Sequence, residues 1–146
     1  MESPHKQLVR LINSSNVGVV LDIGANVGQF GVDMRSRGFS GKIISFEPVT
    51  PLFKKLQRRA AKDPLWEVVK LGVGDEIKTE NIHVSGNSGL SSSFLQMTET
   101  HIKNFPRSEE KSTELVQIST LDEQIRMLSL EPREILLKLD VQGFET

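Results

Sequence analysis

The stretch Val20-Leu21-Asp22-Ile23-Gly24-Ala25-Asn26-Val27-Gly28 constrains the fold more than any other part of this chain. It closes a near-continuous apolar run over residues 17–23, the pattern of a parallel strand covered on both faces. Glycines follow at once, and helical spacing takes over. Asn26 is placed to cap a helix running to about residue 37, and Gly38 to close it in the left-handed conformation that glycine adopts cheaply. A strand, a glycine turn and a helix in immediate succession commit the chain to an α/β fold.

The elements that follow repeat the unit. Residues 42–46 form a second short apolar strand, and Thr50-Pro51 starts a helix because proline suits the first helical position. Leu52, Phe53, Leu56 and Ala60 supply that helix's buried stripe. Residues 66–73 read as a third strand, so the chain spells β-α-β-α-β with crossovers short enough to require parallel pairing, half of a doubly wound sheet. Residues 1–15 hold a short amphipathic helix, expected to pack as a lid on the sheet edge.

Residues 76–119 break the rhythm and read as a hairpin-like insertion. Residues 81–85 look strand-like, Gly86-Asn87-Ser88-Gly89 is a turn, Ser91-Ser92-Ser93 is a polar run, and residues 115–119 are a further strand. Thr120-Leu121-Asp122-Glu123 has the capping-box pattern and opens a helix to about residue 130. Residues 134–141 are the fourth strand of the main sheet, with a turn beginning at Gly143-Phe144-Glu145. The 146 residues are expected to form a single domain.

Composition narrows the chemistry. A net charge of −1 leaves no field to gather nucleic acid or anionic lipid. The absence of cysteine excludes disulfides, thiolate metal sites and cysteine nucleophiles and fits a cytoplasmic setting. No stretch approaches the roughly 18 apolar residues of a membrane span. Tyrosine is also absent, which removes enzyme classes whose proton transfers need its hydroxyl.

Ligands of doubly wound sheets bind at the carboxyl ends of the strands, and the loop after the first strand is the commonest place. Gly24, Ala25, Asn26 and Gly28 keep side chains small there and open a helix whose N-terminus favours an anionic group. A dinucleotide pyrophosphate calls for G-x-G-x-x-G, but Asn26 stands at the second glycine and Asp22 would repel the phosphates. S-adenosylmethionine carries an ammonium, a carboxylate and a sulfonium, and an acid beside a helix N-terminus matches it better. The spacing Gly24-x-x-x-Gly28 also occurs in short-chain dehydrogenases, whose tyrosine acid this chain lacks.

Two more acids fall on the same rim. Glu47, with Pro48, stands 23 residues after Gly24, close to the offset at which an acid accepts from ribose hydroxyls. Gly74-Asp75 follow the third strand, where a carboxylate can meet an adenine amino group.

The runs V-L-D-I-G-A-N-V-G-Q-F-G, F-E-P, L-G-V-G-D, S-S-S-F-L, T-L-D and L-L-K-L-D-V-Q-G-F-E, in that order, resemble the FkbM-type methyltransferases. The resemblance implies a Rossmann-like, mainly parallel sheet of the class I methyltransferase type and S-adenosylmethionine as cofactor. It implies methylation of a hydroxyl on a sugar, glycolipid or secondary metabolite. It assigns Asp22, Gly24 and Asn26 to the methionine end of the cofactor and Glu47 to the ribose. Asp140 and Glu145 would then lie by the methyl group and the acceptor. Gln142 stands where a glutamate is frequent, and the family's remaining C-terminal strands are missing beyond Thr146.

In-line methyl transfer demands alignment, and an alcohol must also shed its proton. Asp140, Glu145 and His101 are the candidate proton acceptors, with Asp140 first because it ends the fourth strand; no metal is expected. Ile135, Leu136, Leu137 and Leu139 would leave an apolar edge, so either the chain belongs to a longer enzyme or a second copy covers that edge as a homodimer. The competing reading is a non-catalytic cofactor-binding module. A dehydrogenase is the third, separable by its response to NAD.

Overall fold

The computed structural model describes residues 2–84, 112–130 and 134–140. In chain order these form α1 (Pro4–Asn13), β1 (Val19–Ile23), α2 (Gln29–Ser36), β2 (Lys42–Phe46), α3 (Thr50–Ala60), β3 (Trp66–Val69), β4 (Gly72–Gly74), β5 (Lys78–Val84), β6 (Ser112–Thr120), α4 (Leu121–Met127) and β7 (Ile135–Leu139). The strands make two sheets, one ordered β3-β2-β1-β7 and the other β4-β6-β5.

All pairings in the four-stranded sheet are parallel, so the carboxyl ends of its strands share one rim. β1 and β2 lie in the middle and are buried along almost their whole length, which is why they appear in the sequence as unbroken apolar runs. β3 and β7 are the edges and are only partly buried. One face packs Val20, Ile43 and Trp66 against Val9, Met34 and Leu56, and so lies beneath α1, α2 and α3. The other face packs Leu21, Ile44 and Phe46 against Leu121 and Ile125 of α4. Burying a side chain the size of Phe46, which is 0% exposed, contributes about 2 kcal/mol.

Several local expectations require correction. Residues 66–73 are not one strand. The chain pairs with β2 as far as Val69, then leaves the sheet, and Gly72–Gly74 pair in parallel with Ile118–Thr120 of β6. Both halves are apolar, so hydrophobic pattern alone does not mark the break. α2 starts at Gln29, three residues later than the expected cap. Asn26 itself adopts φ 56° and Gly28, at the cap position, φ 94°. Asn26 therefore shapes the turn and does not cap the helix, since a cap residue needs extended backbone. α1 packs beside α2 through Val9 and Ile12, with Arg37 Nη1 donating to Ser3 Oγ (2.8 Å), and is part of the core layer.

The expected capping box is half-made. Thr120 Oγ1 accepts from the Glu123 amide (3.2 Å), but the Glu123 carboxylate faces Arg126. α4 ends at Met127 and is closed by Ser129 at φ 54°. The insertion does contain an antiparallel pair, β5 with β6, in register from Lys78↔Ile118 to Val84↔Ser112. It packs over the carboxyl ends of the sheet: Ile82, Val84 and Val116 cluster with Val49 and Leu52 of the β2–α3 segment and with Val27 of the first loop. Among the described residues no helix is long and apolar enough to cross a membrane.

Candidate active site

The rim is laced by main-chain hydrogen bonds before any side chain is counted. The amides of Gly24 and Ala25 both donate to the Phe46 carbonyl (3.0 and 2.9 Å), Glu47 N donates to Val69 O (3.1 Å), and Asp140 N donates to Ile23 O (3.0 Å). The exits of all four parallel strands are thereby fixed relative to one another. Gly28 and Gly31 let α2 lie close to the sheet. A Cβ on Gly28 would stand 3.0 Å from Leu56 Cδ1, and one on Gly31 only 2.3 Å from Trp66 Cζ2. The glycine at position 28 thus allows close packing against α3 and the Trp66 ring of β3 as well as its left-handed turn.

Glu47 is 5% exposed and holds two segments of the rim at once. Its Oε1 accepts from the Asn26 amide and its Oε2 from the Val49 amide, both at 2.9 Å. Burial, reinforced by the nearby charge of Asp22, pushes its carboxyl up to about 7, against the two amides and Lys138, which favour the ionised form. Pro48, next in sequence, is also buried.

Asp22 is fully buried and carries a polar chain across the whole sheet. Lys138 Nζ on β7 lies 3.0 Å from Asp22 Oδ1, Ser45 Oγ on β2 donates to Asp22 Oδ2 (3.1 Å), and Trp66 Nε1 on β3 donates to Ser45 Oγ (3.0 Å). Burial raises the Asp22 carboxyl, Lys138 and Ser45 pull it back down, and Asp140 adds a smaller upward push. The acid that the sequence suggested for a ligand's ammonium already has a protein ammonium against it.

The turn itself holds a buried acceptor: Asn26 Oδ1 has no hydrogen-bond partner among the described residues. A buried amide oxygen left unpaired costs about 1–3 kcal/mol, which a bound donor would recover. Asp140 is exposed at the end of β7, and its amide, donating to Ile23 O at the end of β1, sets it on the same rim as Gly24 and Ala25. Gly74 ends β4 in the second sheet and Asp75 follows it, exposed, with its charge acting on Lys78. His101 and Glu145 lie outside the described residues. Among those described, no group of three His, Cys, Asp or Glu side chains is arranged to hold a metal ion.

Two participants were not singled out from the sequence. Ser45 joins Asp22 to Trp66, and its signal was one polar residue inside an apolar strand. Glu114, on β6, reaches back to the start of α3. Its carboxylate accepts from the Thr50 amide (3.1 and 3.0 Å) and the Thr50 hydroxyl, and Lys70 Nζ lies 3.3 Å away. Burial pushes the Glu114 carboxyl up, but the Thr50 donors and Lys70 outweigh it and hold it below the ordinary range. α3 has Val49 at its cap and no side-chain cap of its own; Glu114 supplies one from 64 residues away.

The model of the methyltransferase FkbM domain matches residues 22–146, a span containing every rim residue described above. The AMB antimetabolite synthetase AmbE of Pseudomonas aeruginosa is 35% identical over 63 residues. That segment covers 42% of this chain and 3% of the synthetase, so the likeness extends to a small part of a much longer protein.

Proposed function

The chain belongs to the FkbM methyltransferase family, and we propose that it moves a methyl group from S-adenosylmethionine to a hydroxyl oxygen of a sugar, a glycolipid or a secondary metabolite. The observation that carries this reading is the charge balance of the rim. The carboxyls of Asp22 and Glu47 are buried there, Asp140 follows the neighbouring strand, and among the described residues one ammonium, that of Lys138, stands against Asp22. An excess of acids in a poorly solvated place favours a cationic ligand and opposes a pyrophosphate. The strand order β3-β2-β1-β7 also corresponds to the first four strands of a Rossmann-like doubly wound sheet, whose ligands sit at this rim.

In this reading Gly24, Ala25, Asn26 and Gly28 hold the methionine end, with Asn26 Oδ1 as the unpaired buried acceptor and Asp22 bracing the turn from below. Glu47 and Pro48 border the ribose. Gly74 and Asp75 approach the adenine from the second sheet. The cofactor supplies a methyl group made electrophilic by its sulfonium, which leaves as a neutral thioether. The protein's own contribution is alignment and exclusion of water. Asp140 presents a carboxylate oxygen to the acceptor hydroxyl and takes its proton as the oxygen–carbon bond forms. Glu145 and His101 are the further candidates for that proton.

The likeness to an antimetabolite synthetase favours a secondary metabolite among the acceptor classes. The test is calorimetric titration with S-adenosylmethionine, S-adenosylhomocysteine and NAD. Binding of the two sulfur compounds without NAD is the expected outcome, with Glu47→Ala weakening it by about 1–3 kcal/mol. Binding of NAD alone would remove the methyltransferase reading.

A further inference from the structure

Lys138 is the charged residue in the otherwise apolar β7 run Ile135-Leu136-Leu137-Lys138-Leu139. It stands directly opposite Asp22 in the parallel register. Its ammonium faces three neighbouring segments, β1, the turn after it and α2. It lies 3.0 Å from the Asp22 carboxylate at the end of β1 and 3.4 Å from the carbonyl of Gly24 in the turn. It also lies 5.6 Å from the ring centroid of Phe30 in the first turn of α2. Just beyond the end of β7, Asp140 is fixed to β1 through its amide.

We infer that Lys138 is a positioning residue: it orients the Gly24 carbonyl and locks the turn on β1 to the β7 end that carries Asp140. The inference rests on the cofactor reading above. Stability alone does not account for the pair. Taking Asp22 fully out of water is expensive, and a well-packed apolar pair at such a place is commonly as stable or more so. What an apolar pair cannot do is donate to the Gly24 carbonyl, the first polar group of the ligand turn. Because the same ammonium also meets Asp22 and Phe30, the strand, the turn and the helix move as one body.

The test is the neutral pair Asp22→Asn with Lys138→Met, made together in the full chain so that no buried charge is left alone. The double variant is expected to fold with a urea midpoint lowered by no more than about 1 M, because the amide replacing the Asp22 carboxyl loses its partner on β7. It is expected to lose about tenfold or more in affinity for both S-adenosylmethionine and S-adenosylhomocysteine, the size set by one charge-assisted hydrogen bond. The two ligands differ by the sulfonium charge. An equal loss for both therefore marks a change of geometry, whereas a loss or gain confined to S-adenosylmethionine would assign Lys138 an electrostatic part only and overturn the inference. Wild-type affinity in the folded double variant overturns it as well.

Wild-type protein that binds neither compound would instead refute the cofactor reading and take this inference with it. Should the double variant fail to fold, Lys138→Arg provides a second route, since it keeps the charge beside Asp22 but approaches the Gly24 carbonyl with a planar fork. About threefold or greater loss of both ligands is expected there, and unchanged affinity for both would count against positioning.

Discussion

Replacing Gly31 with alanine tests how tightly α2 is held on the sheet. The new Cβ would lie 2.3, 2.7 and 2.9 Å from Cζ2, Cη2 and Cε2 of Trp66, well inside contact distance. The indole cannot easily yield, because it is 7% exposed and its Nε1 is committed to Ser45. Overpacking of this kind costs about 1–3 kcal/mol, and a ring that swings aside forfeits a hydrogen bond of about 1 kcal/mol. Against this, alanine gains up to about 1 kcal/mol over glycine in a helix interior. The net expectation is a loss of about 2 kcal/mol, or roughly 1 M in urea midpoint for a small domain. The decisive arm is the same substitution in a Trp66→Leu background, where all three ring atoms are gone. There Gly31→Ala should be neutral or stabilising by about 0.5–1 kcal/mol, through helix propensity alone. An equal penalty in both backgrounds would show that α2 is not seated on Trp66, and the account of the buried polar chain behind it would fail.

Glu47→Gln should alter the pH dependence of stability. A carboxyl at about 7 in the folded chain against an ordinary 4.5 gives stability that is fully present below 4.5 and lost as pH rises through 7, about 3 kcal/mol in all. Urea titrations of wild type and variant at pH 5 and pH 8 should therefore converge at the acid end, and parallel pH profiles would disprove the shift. Glu114→Gln weakens the charged cap of α3 and is expected to cost about 1 kcal/mol. Faster hydrogen exchange at the Thr50 amide is the accompanying sign, and unchanged protection there would contradict the contact. Asp140→Asn should slow methyl transfer by about 10²–10⁴ at saturating cofactor. Full activity in that variant would pass the proton to another group.

The first two β-α units were legible because β1 and β2 are covered on both faces, which imposes continuous apolar runs, and because Gly38 closes the helix at a left-handed position. The rim acids Asp22 and Glu47 were legible for the same reason, as charged residues at the ends of such runs. What stayed hidden depends on register. Nothing local in the sequence says that Lys138 meets Asp22 or that Glu114 meets Thr50, since each contact follows from how distant strands align. The division between β3 and β4 was hidden by similarity, because an apolar strand looks alike whichever sheet it joins. Asn26 was ambiguous between capping and left-handed geometry, for which the same residue type is favoured. The contact of Glu47 with the Asn26 and Val49 amides was invisible because the sequence suggests an acid's place on the rim but not its partners.

The cap that Glu114 gives to α3 has a consequence for biosynthesis. A ribosome adds about 5–20 residues per second, so the 64 residues between Thr50 and Glu114 take roughly 3–13 seconds to appear. Throughout that interval a nascent chain has β1, α2, β2 and α3 but not the carboxylate that completes the start of α3, and the Thr50 amide is left to water. The segment from Glu47 to Thr50, made early, cannot take its final form before residue 114 has been added, and a chain ending short of it would lack the carboxylate that closes the start of α3.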